Sequence, residues 1–323
     1  MQLKLQRLIR PTAAYIFLYI ILGIVIWAAT YIGVFYTRDI SLTELLSQPL
    51  NTDFLWENIL SFVFTLLNSI LLLQFINRFT FVSARTFLPI FVFALLIAVW
   101  EPAHAMYKSN AALLLFVLAL FQFFSTPEHG TEKAFLGSFL IACASLLMNE
   151  FIFIITACWL GFIIIRCFSI RVIFASILGL FVPWLLYAVV VYAISDTFDI
   201  YELFSIGFSL GFSMENLQLP TKIYIGLLFV MFLISLFGTY ANFHNLTSST
   251  RRNINFILIL LIYFIIIFIL QENFEGTYFP FIALCFSIFI SNVFSMKTNL
   301  FLSILFLVFF CVNIVFVIYN FLW

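Results

Sequence analysis

The sequence predicts an all-α, polytopic integral membrane protein, and two observations carry the prediction: the composition and the alternation of charges along the chain. Of the 323 residues, 65% are hydrophobic and 9% are charged, and the mean hydropathy is +1.20. Soluble domains contain roughly 25% charged residues. A water-soluble fold could not bury so much apolar surface, so we expect membrane lipids to surround most of the chain.

Apolar segments recur along the whole chain, separated by short charged connections. The first is 25 residues long, which exceeds the roughly 7 to 15 residue core of a removable signal peptide and suits a spanning helix. We expect about eleven transmembrane helices in a single membrane domain over residues 1–323. The spans are predicted at residues 12–36, 57–77, 86–100, 109–125, 134–148, 151–165, 170–194, 222–243, 254–271, 277–294 and 299–321.

The charged residues between these spans form two alternating sets. The basic set contains Lys4, Arg7, Arg10, Arg78, Arg85, Lys133, Arg166, Arg171, Arg251, Arg252 and Lys297, with Glu128 and Glu132. The acidic set contains Asp39, Glu44, Asp53, Glu57, Glu101, Glu150, Asp196, Asp199, Glu202, Glu215, Glu272 and Glu275, with Arg38, Lys108 and Lys222. Cytoplasmic connections are enriched in Lys and Arg. We therefore expect a cytoplasmic N-terminus and a C-terminus on the outer side of the membrane, with an acidic outer face that does not suit nucleic acid.

The apolar stretch at residues 134–165 could form one helix or two. One helix would be about 48 Å long, which exceeds the roughly 30 Å hydrocarbon core of a bilayer. It would also place Arg166 and Arg171 outside, against the charge rule. We therefore expect a break at Asn149 and Glu150.

Three predicted spans are then unusually short, at about 15 residues or 22 Å each: 86–100, 134–148 and 151–165. We expect their outer ends to stop below the membrane surface. Glu101 and Glu150 would then line a recess open to the periplasm, and ligands bind in recesses. Two further outer segments are expected: a first outer loop at 37–56, and an interfacial or re-entrant segment at 195–221.

Glu150 is the most informative candidate residue, because apolar residues surround it along the chain. A carboxylate in such a position is costly unless it meets water or a partner. One interpretation makes it an acid, a base or a ligand contact in the recess. The alternative is that it caps the N-terminus of the sixth span, where the helix dipole favours an anion.

The other candidates lie in the first two outer connections and at the start of the eighth span. Asp39 could act as a general base and Arg38 could bind a phosphate, although a solvated ion pair would also explain them. Glu101, His104 and Lys108 place an acid, an imidazole and a cation within eight residues. An anionic ligand outside would depend on Arg38, Lys108 and Lys222, the three outer cations.

Several other chemistries lack their sequence signatures. The five cysteines have no CxxC spacing and the three histidines have no partner four residues away, so we expect neither a disulfide framework nor a metal site. The GxGxxG, Walker A and GxSxG patterns do not occur either. We expect no cofactor.

The region from about residue 60 to 200 resembles an uncharacterised family of multi-pass inner-membrane proteins of Bacteroidetes-type bacteria. The residues that carry the resemblance are Asn77-Arg78, Phe87-Leu-Pro89, Asn110 to Phe116, Gly137 to Leu147 and Gly179 to Trp184. More distantly, the layout resembles the C-type glycosyltransferases, which use lipid-linked sugars. That resemblance implies a catalytic base at Asp39. The chain differs from these enzymes in its short first outer loop.

Three functions remain open at this stage. The first is a glycosyltransferase-like role in envelope polymer synthesis, with a polyprenyl phosphate sugar as donor. The second is a non-catalytic subunit or scaffold that assembles with other envelope membrane proteins. The third is a carrier or flippase for a lipid-linked or anionic solute, although no inverted repeat is visible in the chain.

Overall fold

The computed structural model describes residues 25, 52–82, 86–104, 107–194, 219–270, 277–296 and 300–322. These ranges are helical and contain no strand. Their α-helices are α1 (Thr52–Phe79), α2 (Leu88–Val99), α3 (Tyr107–His129), α4 (Thr131–Leu147), α5 (Ile154–Ile165), α6 (Ile170–Ile194), α7 (Leu219–Ala241), α8 (Ser248–Leu270), α9 (Phe279–Met296) and α10 (Leu300–Leu322). Short 3-10 segments cover Glu101–His104, Asn149–Phe153 and Phe243–Asn245.

Five of the described helices, α1, α3, α6, α7 and α8, are long and apolar enough to cross a membrane. Shorter apolar helices lie between them and after α8. The outward surface is apolar as well: on α6, Phe174, Phe181 and Leu185 are each more than 60% exposed. Water would disfavour such a surface and lipid would not. The chain is therefore an all-α, multi-pass membrane protein.

Helices lie close to the predicted positions wherever the structure describes the chain. Each predicted span after the first overlaps one of α1 to α10, with ends that differ by up to six residues. The first span, 12–36, lies outside the described residues apart from the helical Val25. The predicted outer loop at 37–56 also lies outside them up to residue 51, and its last five residues begin α1. The segment at 195–221 is described only from residue 219, where α7 begins.

The predicted break at Asn149 and Glu150 lies where α4 ends. Met148 has an extended backbone (φ −139°, ψ 95°), and the 3-10 segment Asn149–Phe153 follows it. Contacts between α4 and α6, the helices on either side of α5, show that the chain reverses here. Gly179 of α6 lies beside residues 135–139 of α4, and further along α6 the Trp184 indole donates to Ser145 Oγ at 2.8 Å. These contacts make α4 and α6 parallel, so α5 between them runs in the opposite direction.

The same alternation relates α1, α2 and α3. Asn68 contacts Asn110, and further along both helices Phe75 packs on Phe121 with ring centroids 5.3 Å apart. Thus α1 and α3 are parallel and α2 returns between them. A tight turn at Gly130, which has a φ of +61° that favours glycine, joins α3 to α4.

The helix bundle consequently has two ends of opposite charge. We call the end that holds Glu101–His104, Asn149–Phe153 and residues 277–278 the acidic end, and the opposite end the basic end. The basic end includes the turn at Gly130 and the start of α8, where Thr80 and Thr250 hydroxyls lie 3.4 Å apart. Its described cations are Arg78, Lys133, Arg166, Arg171, Arg251 and Arg252.

Candidate functional site at the acidic end

Three connections that are distant in sequence meet at the acidic end. Ser109, at the start of α3, donates its hydroxyl proton to the carbonyl oxygen of Thr277. Trp100, at the end of α2, stacks on Phe279 with ring centroids 4.5 Å apart. The residues before α9 therefore pack against the segment that joins α2 to α3.

Glu150 lies at the centre of this arrangement and is partly exposed. The buried Tyr278 hydroxyl donates a hydrogen bond to Glu150 Oε2 at 3.0 Å. Glu150 lies in the first turn of the 3-10 segment Asn149–Phe153, where the helix dipole favours an anion. The recess and the capping interpretations of Glu150 both stay predictions.

A cluster of four phenylalanine rings fixes the segment that carries Glu150. Phe116 of α3, Phe151, Phe264 of α8 and Phe281 of α9 are each at most 1% exposed. Their ring centroids lie 4.9 to 6.3 Å apart. Such aromatic pairs contribute about 0.5 to 1.5 kcal/mol each beyond their buried area. The cluster holds the backbone beside Glu150 rigid, which is what a positioned carboxylate needs.

The helices beside Glu150 are short. Both α2 and α5 contain 12 residues, or about 18 Å at 1.5 Å per residue, against a hydrocarbon core of roughly 30 Å. Both are shorter than the predicted spans 86–100 and 151–165. Helix α2 begins two residues later and ends one residue earlier than predicted, and the 3-10 segment Asn149–Phe153 replaces the start of the span that contains α5. That the chain turns below the membrane surface near Glu150 stays a prediction.

His104 is buried rather than directed toward open space, at 3% exposed. Its Nε2 atom lies 3.2 Å from the carbonyl oxygen of Ile97. Burial lowers the pKa of His104 to about 4, and hydrogen bonds from the imidazole to the backbone of Ile97 and Ala98 oppose that shift. The imidazole is therefore neutral at physiological pH and supports the end of α2. A direct ligand contact by His104 stays a prediction.

The remaining predicted site residues are placed as follows. Lys108 on α3 and Lys222 on α7 are both exposed at the acidic end. Glu101 begins the 3-10 segment after α2, and its side chain lies outside the described part of the structure. Arg38 and Asp39 also lie outside the described residues, so their predicted roles stay predictions.

A buried amide and hydroxyl network beneath Glu101–His104 was not predicted. Asn110 Nδ2 donates to Ser61 Oγ at 2.7 Å and to the Ala103 carbonyl at 3.2 Å. The Ser61 hydroxyl donates to the same carbonyl at 3.0 Å, and Asn68 Nδ2 donates to the Asn110 carbonyl at 2.9 Å. The network joins α1, α3 and the segment between α2 and α3.

A sequence signal for this network exists. Ser61, Thr65, Asn68 and Ser69 follow the i, i+4, i+7, i+8 spacing of one helix face within an apolar run. Polar side chains inside a span face other helices rather than lipid. The stripe therefore identifies the buried face of α1, although it does not identify Asn110 as the partner. No comparable signal marks Tyr278 as the donor to Glu150.

Comparisons with known proteins do not assign the chain to a family. No protein-family model matches it, and no curated protein or solved structure is significantly similar to it. The function must therefore be argued from the site itself.

The described part of the chain contains no group of three or more His, Cys, Asp or Glu side chains that lie close enough together to hold a metal ion. The five cysteines are free thiols, and Cys158 and Cys285 are buried. What the acidic end offers is a positioned carboxylate beside a phenol, together with exposed cations.

Proposed function

We propose that this chain is a bacterial inner-membrane protein of envelope polymer synthesis, and that it acts as a glycosyltransferase-like enzyme at the acidic end. Its donor would be a sugar linked to polyprenyl phosphate. The observation that supports the proposal is the hydrogen bond between Tyr278 and Glu150, because it orients a partly exposed carboxylate beside short helices.

In the proposed reaction, Glu150 or Asp39 accepts the proton of an acceptor hydroxyl. The hydroxyl oxygen then forms a bond to the anomeric carbon of the sugar. The bond between that carbon and the phosphate oxygen breaks, and polyprenyl phosphate leaves with the electron pair. Lys108, Lys222 and Arg38 are the outer cations available to stabilise the phosphate charge.

The proposal includes an orientation: eleven spans, with the basic end in the cytoplasm and the acidic end in the periplasm. Reporter fusions after residues 130, 200, 248 and 323 should report cytoplasm, periplasm, cytoplasm and periplasm, because this arrangement places the basic set inside. A periplasmic signal at 248 would contradict both the orientation and the reversal at Glu150.

The catalytic role is tested by Glu150→Gln and Asp39→Asn in a strain that lacks the native gene. Glutamine keeps the size of Glu150 and can still accept the Tyr278 hydrogen bond, but it cannot take a proton at pH 7. We expect at least one of the two variants to lose surface polysaccharide or envelope integrity by about a hundredfold or more, within the range attributed to general bases. Membrane abundance is measured in parallel and should stay unchanged.

Tyr278→Phe is an intermediate variant, because it removes the hydrogen-bond donor to Glu150 and leaves the carboxylates of Glu150 and Asp39 in place. We expect partial complementation.

Lipid extracted from the purified protein should contain polyprenyl phosphate or its sugar conjugate by mass spectrometry. Full complementation by both carboxylate variants would favour the non-catalytic subunit if no such lipid is found, and the carrier if it is.

A further inference from the structure

A partly open apolar groove of about 370 Å³ lies between α7, α8 and α9. Its volume falls within the roughly 300 to 1,000 Å³ typical of ligand sites. Phenylalanine rings from all three helices line it, including Phe232, Phe268 and Phe286. The packing contacts described above do not depend on whether this groove is empty or filled.

The groove has the length of one membrane leaflet. Along α7 it extends from Lys222 to Phe232, a rise of about 15 Å, which is half of a roughly 30 Å hydrocarbon core. Its first residues on α7 and α9, Lys222 and Phe279, lie at the acidic end. The groove therefore extends from that end toward the middle of the bundle.

The groove is apolar along this length, and its volume of about 370 Å³ can hold part of a hydrocarbon chain. The ligand that this shape fits is an amphiphile whose apolar part lies in the groove.

Charge decides which end group such a ligand carries. Among the described residues that line the groove, Lys222 is the one charged residue, and the others are apolar or glycine. Lys222 is exposed and lies at the end of the groove that is nearest the acidic end. A lysine ammonium in this position binds phosphate as a point charge.

We infer that this groove holds the hydrocarbon chain of a polyprenyl phosphate, with the phosphate at Lys222. The inference deepens the proposed function and rests on it, since it gives the leaving lipid a place beside the carboxylate. Phe279 lines the groove and directly follows Tyr278, the hydrogen-bond donor to Glu150. The phosphate and the carboxylate thus occupy neighbouring positions at the acidic end.

Gly226 allows the groove to be filled without disturbing the bundle. It lines the groove, and a Cβ atom built there meets nothing within 4 Å. Gly226→Phe therefore places a ring in the groove, and Gly226→Ala is the matched control that adds one methyl group. Lys222→Gln removes the charge, Lys222→Arg keeps it, and Arg171→Gln removes an exposed cation at the basic end, outside the lining.

The experiment uses the full-length protein in nanodiscs and a polyprenyl monophosphate that carries a photoactivatable diazirine in its chain. The corresponding polyprenol and a diazirine-labelled phosphatidylglycerol serve as comparison probes. Labelled peptides are identified by mass spectrometry. Size-exclusion chromatography confirms that each variant is monodisperse.

We expect the polyprenyl monophosphate to label α7, α8 and α9, and to do so more strongly than either comparison probe. Gly226→Phe should reduce this labelling about tenfold or more, and Lys222→Gln should weaken the apparent affinity about tenfold, as expected for one charge-assisted contact. Gly226→Ala, Lys222→Arg and Arg171→Gln should stay within about twofold of the native protein.

Three results would overturn the inference, and they differ in what they imply for the proposed function. Equal labelling by phosphatidylglycerol would make the groove a general lipid contact and leave the function untouched. Labelling that maps elsewhere and survives Gly226→Phe would move the lipid site and also leave the function standing. Absence of specific labelling by polyprenyl monophosphate at any position would overturn both.

Discussion

Replacing Gly179 with leucine is expected to abolish the accumulation of folded protein. A Cβ atom at this position would lie 2.4 Å from the carbonyl oxygen of Phe135 and 3.1 Å from the backbone nitrogen of Phe139. Both are backbone atoms of α4, so the clash cannot be relieved by turning a side chain. The two helices would have to separate along their contact. Overpacking typically lowers the free energy of unfolding by about 1 to 3 kcal/mol and occasionally by more. We expect a clash with backbone atoms to lie at the upper end of that range.

The measurement is the yield of monodisperse protein by fluorescence-detected size-exclusion chromatography, with the thermal midpoint in detergent for any variant that can be purified. Gly226→Leu is the matched control, because it makes the same chemical change where a Cβ atom meets nothing. It should accumulate normally. Equal yields for the two variants would show that α4 and α6 do not approach as closely as described.

The second large effect is expected from Asn110→Leu, which removes the amide that joins α1 to α3. Ser61 Oγ and the Ala103 carbonyl would each lose a donor in a buried site. An unsatisfied buried polar group costs about 1 to 3 kcal/mol in proteins generally, while single hydrogen bonds inside membranes average about 0.6 kcal/mol. We expect a loss of about 2 kcal/mol in unfolding free energy, because two bonds are lost together.

A double-mutant cycle separates the network from general destabilisation. Ser61→Ala and Asn110→Leu should be non-additive by about 0.5 to 1.5 kcal/mol, since each removes a partner of the other. Ser69→Ala is the control in the same helix, because Ser69 Oγ bonds only within α1, to the Thr65 carbonyl at 2.8 Å. Its effect should add to that of Asn110→Leu. Additivity in both pairs would mean that Asn110 acts without Ser61.

Helix positions could be predicted from the sequence because they depend on local hydrophobicity and on charge, both of which are read along the chain. The break at Glu150 followed from the excessive length of a single helix and from the charge rule, since hydropathy runs continuously through residues 134–165. The helix ends were less certain, because 3-10 segments such as Asn149–Phe153 continue the apolar pattern of their neighbours.

The pairings at the site could not be predicted in the same way. Tyr278 is separated from Glu150 by 128 positions, and their contact depends on which helices pack together. Hydrophobic periodicity identifies the buried face of a helix but not the helix that covers it. For the same reason the groove at Lys222 was not foreseen, although Lys222 itself was selected as one of three outer cations.

The packing of α5 sets an order for making the protein. Helix α5 packs mainly on α8 rather than on α4 and α6, its neighbours along the chain, and Gly161 accommodates the Phe256 ring there. The ribosome completes α8 only after α6 and α7 have been synthesised. Until then the face of α5 that packs on α8, and the turn at Glu150, contact no other helix of the chain there. A helix of 12 residues is also too short to span the bilayer alone. Insertion machinery or thinned lipid must shelter this hairpin during translation, so chains that stop before α8 should be recognised and degraded.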